Sequence, residues 1–243
     1  MAGFLGKGEV YIDRDLQGKF LPIGNAIKFA IAETEADVKE RISRRIDTYG
    51  QALDRVALAK PAKITIELNE IDAKNLAVAL RGLVEDVTDS GSVTGEDATA
   101  ALGAYVKLAH DGIDEATVAV TNEDGSTTYT KDTDYEIRGS VGLLKALEGG
   151  DITDGQALKV DYQYNETCKK ILGSKKTEIE GALILEGINM ANNKACRVYV
   201  WKARLMPTSE VDFLAEDFTG ITLEGTLLTP PNKTEPYEVR YVE

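Results

Sequence analysis

Two segments, 179–188 and 197–206, are apolar at both parities of a two-residue repeat. In the first, Ile179, Leu183 and Leu185 stand on one side and Ala182, Ile184 and Ile188 on the other. In the second, Tyr199, Trp201 and Leu205 oppose Val198, Val200 and Met206. A strand of this kind must be covered on both faces, which restricts the chain to layered or closed β architectures. The segment 63–68 has the simpler half-buried pattern, with Ile64, Ile66 and Leu68 on one face and Thr65 and Glu67 on the other. Pro61 just before it suits a strand start, where no ladder donor is needed. Strands at 8–12, 20–31, 218–228 and 238–242 complete the pattern, the first two joined at a Gly18 turn.

One helix interrupts the strands. Asp72 is placed to cap the segment 73–80, Gly82 falls where a C′ glycine would end it, and Leu76, Leu80 and Leu83 form one apolar stripe. The segment 35–58 is harder to assign. Val38, Ile42 and Ile46 recur every four residues among Lys39, Arg41, Arg44 and Arg45, and Asp47-Thr-Tyr-Gly50 then reads as a turn. We read a long, partly extended excursion from the sheet, either helical or extended, of a length that usually carries function.

Charge divides the chain. There are 41 acidic and 28 basic residues, a net of −13. Residues 86–165 hold 16 acids against 5 bases, a net of −11, so nearly all the excess lies there. Phosphate gripping needs clustered Lys and Arg, so sequence-specific DNA binding is disfavoured. The segment 85–101, rich in Asp, Ser, Thr and Gly, reads as a linker. Beyond it come short β units at 102–108, 116–120, 127–130, 135–137 and 157–164. Asn122-Glu-Asp-Gly125 suits a type I′ hairpin turn. The spacing predicts a small Ig-like β module at 86–165, inserted into a β domain made of 1–85 and 166–243.

No constellation carries chemistry. A single histidine, His110, and two cysteines, Cys168 and Cys196, remove most zinc sites and His-dependent triads. The cysteines read as free buried thiols in a reducing compartment. Asp111–Glu115 and Asp132–Asp134 do not match a calcium loop and read as acidic turns. Asn165-Glu-Thr and Asn232-Lys-Thr are glycosylation sequons by letter only. Neither a signal peptide nor an apolar run of the ~18–20 residues needed to span a membrane is visible. We therefore expect no enzyme, no catalytic residue, no cofactor, no metal and no membrane insertion. The basic excursion is either a solvated face or a contact with an acidic surface of another copy.

The block 23–82 contains Tyr49-Gly-Gln-Ala-Leu-Asp54, Lys60-Pro-Ala-Lys63 and Ile64-Thr-Ile-Glu-Leu68, leading into Glu70-Ile-Asp-Ala-Lys-Asn-Leu-Ala-Val-Ala-Leu80. A second block holds Val198-Tyr-Val-Trp-Lys-Ala-Arg-Leu-Met-Pro207 and Asp217-Phe-Thr-Gly-Ile-Thr-Leu-Glu-Gly225. In these blocks the chain resembles the major tail tube proteins of long-tailed, non-contractile (siphovirus-type) bacteriophages. Val118-Ala-Val-Thr-Asn122, Asp134-Tyr135 and Asp154-Gly-Gln-Ala-Leu-Lys-Val-Asp-Tyr162 are similar to small β modules of phage tail components. The resemblance implies a mainly β protein, a tail-tube-type β-sandwich or half-barrel with one flanking α-helix.

It also implies a structural virion protein, made in the host cytoplasm. Such proteins form stacked, usually hexameric rings that enclose the tape-measure protein and conduct DNA without gripping it. Tail-terminator and distal-tail proteins would be further partners. The long early loop of such proteins reaches a neighbouring subunit, which makes Val38, Lys39, Arg41, Ile42, Arg44, Arg45 and Tyr49 the candidate contact residues. A β-sandwich binding module for a carbohydrate or a cell surface is the competing expectation.

Overall fold

The computed structural model describes residues 3–217 and 220–242. The expected strand start at Phe218 lies outside them. The chain is mainly β with one α-helix among the described residues, and it divides into two compact units, 1–84 with 171–243 and Glu85–Lys170.

The first unit is built from β1 (Gly6–Asp13), β2 (Leu21–Pro22), β3 (Ala26–Ala32), β4 (Asp37–Ile42), β5 (Ala52–Leu58), β6 (Lys63–Leu68) and α1 (Ala73–Ala79). The intervening unit contributes β7 (Leu83–Thr99), β8 (Val106–Lys107), β9 (Ala119–Asn122), β10 (Thr128–Tyr129), β11 (Tyr135–Arg138), β12 (Leu143–Ala146) and β13 (Ala157–Leu172). The first unit then resumes with β14 (Ile179–Asn189), β15 (Lys194–Pro207), β16 (Ile221–Leu227) and β17 (Tyr237–Tyr241).

In the first unit an antiparallel sheet runs β2-β1-β14-β15-β16-β6-β3, with β17 also paired to β15. One face buries Val10, Ile12, Ile64, Ile66, Leu68, Leu183, Val200, Leu205 and Leu223 in a single core, joined by Val78 of α1. Val10 of β1 and Phe29 of β3 line one cleft of about 170 Å³, so the two ends of the sheet curl towards each other. That curling is what lets one sheet supply its own core.

The second faces of β14 and β15 are covered only in part. Ile184 is half-buried, while Ile188 and Met206 are exposed. Tyr199 and Trp201 stack with ring centroids 5.9 Å apart. Lys233 Nζ lies 3.5 Å from the Trp201 ring centroid, and Arg240 sits over Tyr199. The parity expected for β15 changes midway. Val200 pairs with Leu183 but Ala203 pairs with Gly181, so Trp201 and Lys202 form a bulge. The extra residue turns Leu205 inward beside Val198 and Val200, and Met206 outward. The same bulge separates two partners along one edge. β17 pairs with Cys196–Val200 and β16 pairs with Ala203–Pro207.

Helix α1 starts as its sequence predicts. The Asp72 side chain accepts from Asn75 N at 2.6 Å. Its end differs by one residue. Arg81 takes the left-handed position at φ 49°, donating to Val78 O at 3.1 Å while Gly82 N donates to Ala77 O at 2.6 Å. These two bonds make a Schellman end with Gly82 at C″ rather than C′. The expected leucine stripe is not the buried one. Asn75, Ala77 and Val78 face inward, because the Asn75 amide donates to Ile23 O at 2.6 Å and its oxygen accepts from Arg14 at 2.7 Å.

In the second unit a sheet of order β10-β9-β13-β7 and a sheet of order β11-β12-β8 share one core of Val120, Tyr135, Leu144, Val160 and Tyr162 among others. The segment expected as a linker is β7, a 17-residue strand exposed along most of its length. Pairing with β13 overrides the weak strand preference of Asp, Ser and Gly. At Asn122–Gly125 only Gly125 has positive φ, 74°, and its N–H donates to Asn122 O at 3.1 Å. That is a type I turn followed by a left-handed glycine, not the expected type I′ turn.

Each unit contains one buried aspartate that closes a turn. Asp13 accepts from the N–H groups of Gly18 (2.6 Å), Gln17 (3.2 Å) and Asp15 (3.4 Å). Burial works against its charge, but these backbone donors prevail and hold its pKa below the ordinary 3.8. Asp134 is lowered by the N–H groups of Asp151 (2.9 Å) and Thr130 (2.7 Å). A lowered folded-state pKa contributes stability that is full above the unfolded value and is lost as pH falls through the folded one. Stability should therefore decline on acidification below about pH 4. In denaturant titrations repeated across pH, Asp13→Asn and Asp134→Asn should each flatten that acid limb. An unchanged limb in both variants would remove these carboxylates from the account.

Candidate functional site

β4 and β5 form a two-stranded hairpin of their own, among the described residues paired only with each other. The excursion is thus extended, not helical. Its tip is ordered by Ser43, one of the few buried polar residues. Ser43 N donates to Gln51 O (2.8 Å), Gly50 N to Ser43 O (3.0 Å), and the hydroxyls of Ser43 and Thr48 lie 2.6 Å apart. A 3-10 turn at Ile46–Thr48 then projects Ile46 and Asp47 outward while Thr48 stays against Ser43. Ile46 is 98% exposed and Tyr49 is 76% exposed. A hairpin with such a rigid tip and such apolar ends holds those residues out of water only if something else covers them.

Opposed residues in an antiparallel pair point to the same face. One face carries Lys39 with Val56, Asp37 with Leu58, and Arg41 with Asp54. The other carries Val38 with Ala57, Glu40 with Arg55, and Ile42 with Ala52. Each face thus combines an ion pair with apolar side chains, and all of β5 is exposed. Val38, Ile42, Leu53, Val56 and Leu58 are all large apolar residues in water.

The candidate residues are placed as follows. Val38, Lys39, Arg41 and Ile42 lie on β4, and Arg44, Arg45 and Tyr49 at the tip. Arg41 already has a carboxylate, since its guanidinium reaches Asp54 at 2.5 Å. Lys39 lies 3.0 Å from Asp37. Among the described residues Arg44 and Arg45 form no ion pair. The second strand, Ala52–Leu58, is not singled out within the excursion by sequence, because Asp54 and Arg55 break the alternation of its apolar residues Leu53, Val56 and Leu58.

Other polar groups have local duties. His110 Nδ1 lies 3.0 Å from Tyr162 Oη and its ring stacks on Tyr164 at 3.8 Å. Tyr162 donates in turn to Glu96, and burial first, with that carboxylate, raises the phenol's pKa. Cys196 is buried, whereas Cys168, expected to be buried, is exposed on β13, on a length of strand that leaves the core. Among the described residues no three His, Cys, Asp or Glu side chains gather as a metal site, and no helix is long and apolar enough to cross a membrane.

Comparison with known proteins finds one family model, described as protein of unknown function UCP028589, which matches residues 3–242. No curated protein matches the chain.

Proposed function

We propose for this chain, which belongs to that family, a structural role in which copies associate into rings that stack as a phage tail tube. The observation that carries the reading is the hairpin of β4 and β5, with exposed apolar residues on both faces and at its tip and no other strand paired with it among the described residues. Ile46, 98% exposed, gains about 1.5–3 kcal/mol on leaving water, and Ile42, Val56 and Leu58, already half covered, roughly half as much each. An exposed ion pair contributes only ~0–1 kcal/mol. Apolar contact therefore drives association on this reading, and the arginines tune it. The half-covered outer faces of β14 and β15 are further surface that a neighbour would bury.

Heterologous contacts of one kind close into a ring when the rotation closes, and a contact along the axis stacks rings. On this reading the first partner is another copy of the chain. The tape-measure, tail-terminator and distal-tail proteins follow, with DNA passing through the lumen of the virion's tail. The acidic balance suits a conduit that must not retain a polyanion. Negative-stain microscopy of the purified protein should reveal rings or tubes with a central channel, and sedimentation should become concentration-dependent. A monomer that persists at millimolar protein would overturn the reading in favour of a binding module for a carbohydrate or a cell surface.

A further inference from the structure

A cleft of about 110 Å³ in the first unit has apolar walls from Ala77, Val78, Leu83 and Ile179. Its charged lining residues are Arg14, Lys74 and Lys176, with no carboxylate among them. Arg14 follows the turn aspartate Asp13, and its position is set by a bond to Asn75, itself 3% exposed. Its Nε is shielded from solvent and has no hydrogen-bond partner. The carboxylates of Asp72 and Asp15 act on Arg14 through space, but among the described residues no carboxylate comes within 4 Å of its guanidinium. Among the described residues Lys74 and Lys176 likewise form no ion pair, although acids outnumber bases by 13 in this chain. A partly buried guanidinium with no directly contacting carboxylate, lining a cleft together with two ammonium groups, marks a place where an anion would be favoured.

We infer that this cleft receives a carboxylate carried on a short aliphatic chain. The carboxylate would meet the Arg14 guanidinium and the two ammonium groups, and the methylenes would lie against Val78, Leu83 and Ile179. The size of the cleft excludes bulky acids, and the apolar walls disfavour a bare, strongly hydrated anion. The same chemistry has two sources, a free short-chain acid or an Asp or Glu side chain of another copy. Only the second source rests on the self-assembly proposed above.

The test uses the whole protein at low ionic strength with butyrate as probe, followed by calorimetry or by amide shifts in NMR, with butylammonium as the control of opposite charge. Saturable butyrate binding is expected, weakened at least tenfold in Lys74→Ala/Lys176→Ala, whose exposed side chains leave the fold intact. In a second arm Lys74→Glu/Lys176→Glu is compared with the parent by sedimentation. Reduced self-association without butyrate binding would assign the carboxylate to another copy. Butyrate binding by a protein that stays monomeric would support the cleft while overturning the assembly reading. No saturable binding in the first arm together with unchanged sedimentation of an assembling protein in the second would overturn the inference. In a protein that never assembles, failure of the first arm alone would do so.

Discussion

Changing Ile46 and Val56 together to Asp should weaken self-association by at least about 30-fold while leaving the protomer folded. Ile46 stands at the tip of the hairpin and Val56 on its second strand, and both are exposed. Neither belongs to the core of the first unit, so circular dichroism and the denaturant midpoint should not move. The magnitude follows from apolar burial. Losing about 1.5–3 kcal/mol at Ile46 and roughly half as much at the half-exposed Val56, at 1.4 kcal/mol per factor of ten, comes to more than about 30-fold. Reversing Arg41, Arg44 and Arg45 to Glu should act more weakly and depend on salt, because Arg41 already holds Asp54 within the hairpin. Sedimentation velocity at several salt concentrations separates the two variants. If the doubly acidic variant assembles like its parent, the hairpin is a bystander and the assembly reading loses its main support.

Gly8→Val should destabilise the first unit by about 3 kcal/mol or more, the upper end of what overpacking costs. Gly8 faces Gly187 across the pairing of β1 with β14. A Cβ there would stand 2.3 Å from Glu186 O and 2.6 Å from Gly187 Cα, both backbone atoms that cannot rotate away. The two strands would have to separate at the point where β1 joins the sheet. Gly3→Ala serves as the control, since nothing lies within 4 Å of the added carbon and no effect is expected. Urea titration checks both variants, with the slope confirming that the same surface unfolds. A Gly8→Val protein as stable as the parent would mean that β1 is not paired in this register.

The existence of most strands was legible because a period of two is a local property. Ile64, Ile66 and Leu68 alternate and are all buried. The Asp72 cap was legible for the same reason, since its partner lies three residues away. The hairpin was visible as an anomaly but not as a hairpin. A spacing of four between Val38, Ile42 and Ile46 fits a strand's period of two as well as it fits a helix turn, so periodicity could not decide. Of the candidate contacts, Tyr49 at the tip is 76% exposed, and Ile46 beside it, 98% exposed, was not among them. Arg41 does not act as a free charge, because Asp54 reaches it across a register that only the folded pair creates.

By itself the sequence determined a mainly β chain with one capped helix, an acidic central stretch, and a scarcity of histidine and cysteine. Such features depend on neighbours a few residues apart or on totals, and both are present before folding. Tertiary structure alone decided which face of α1 turns inward, through Asn75 partners 52 and 61 residues away. It also decided that 83–99 is a strand, because β13 offers it a ladder. The bulge at Trp201 and Lys202 did the same for Leu205, inserting one residue and exchanging the faces of everything beyond it. In each case the deciding partner is distant along the chain, and a period read within one segment carries no trace of it.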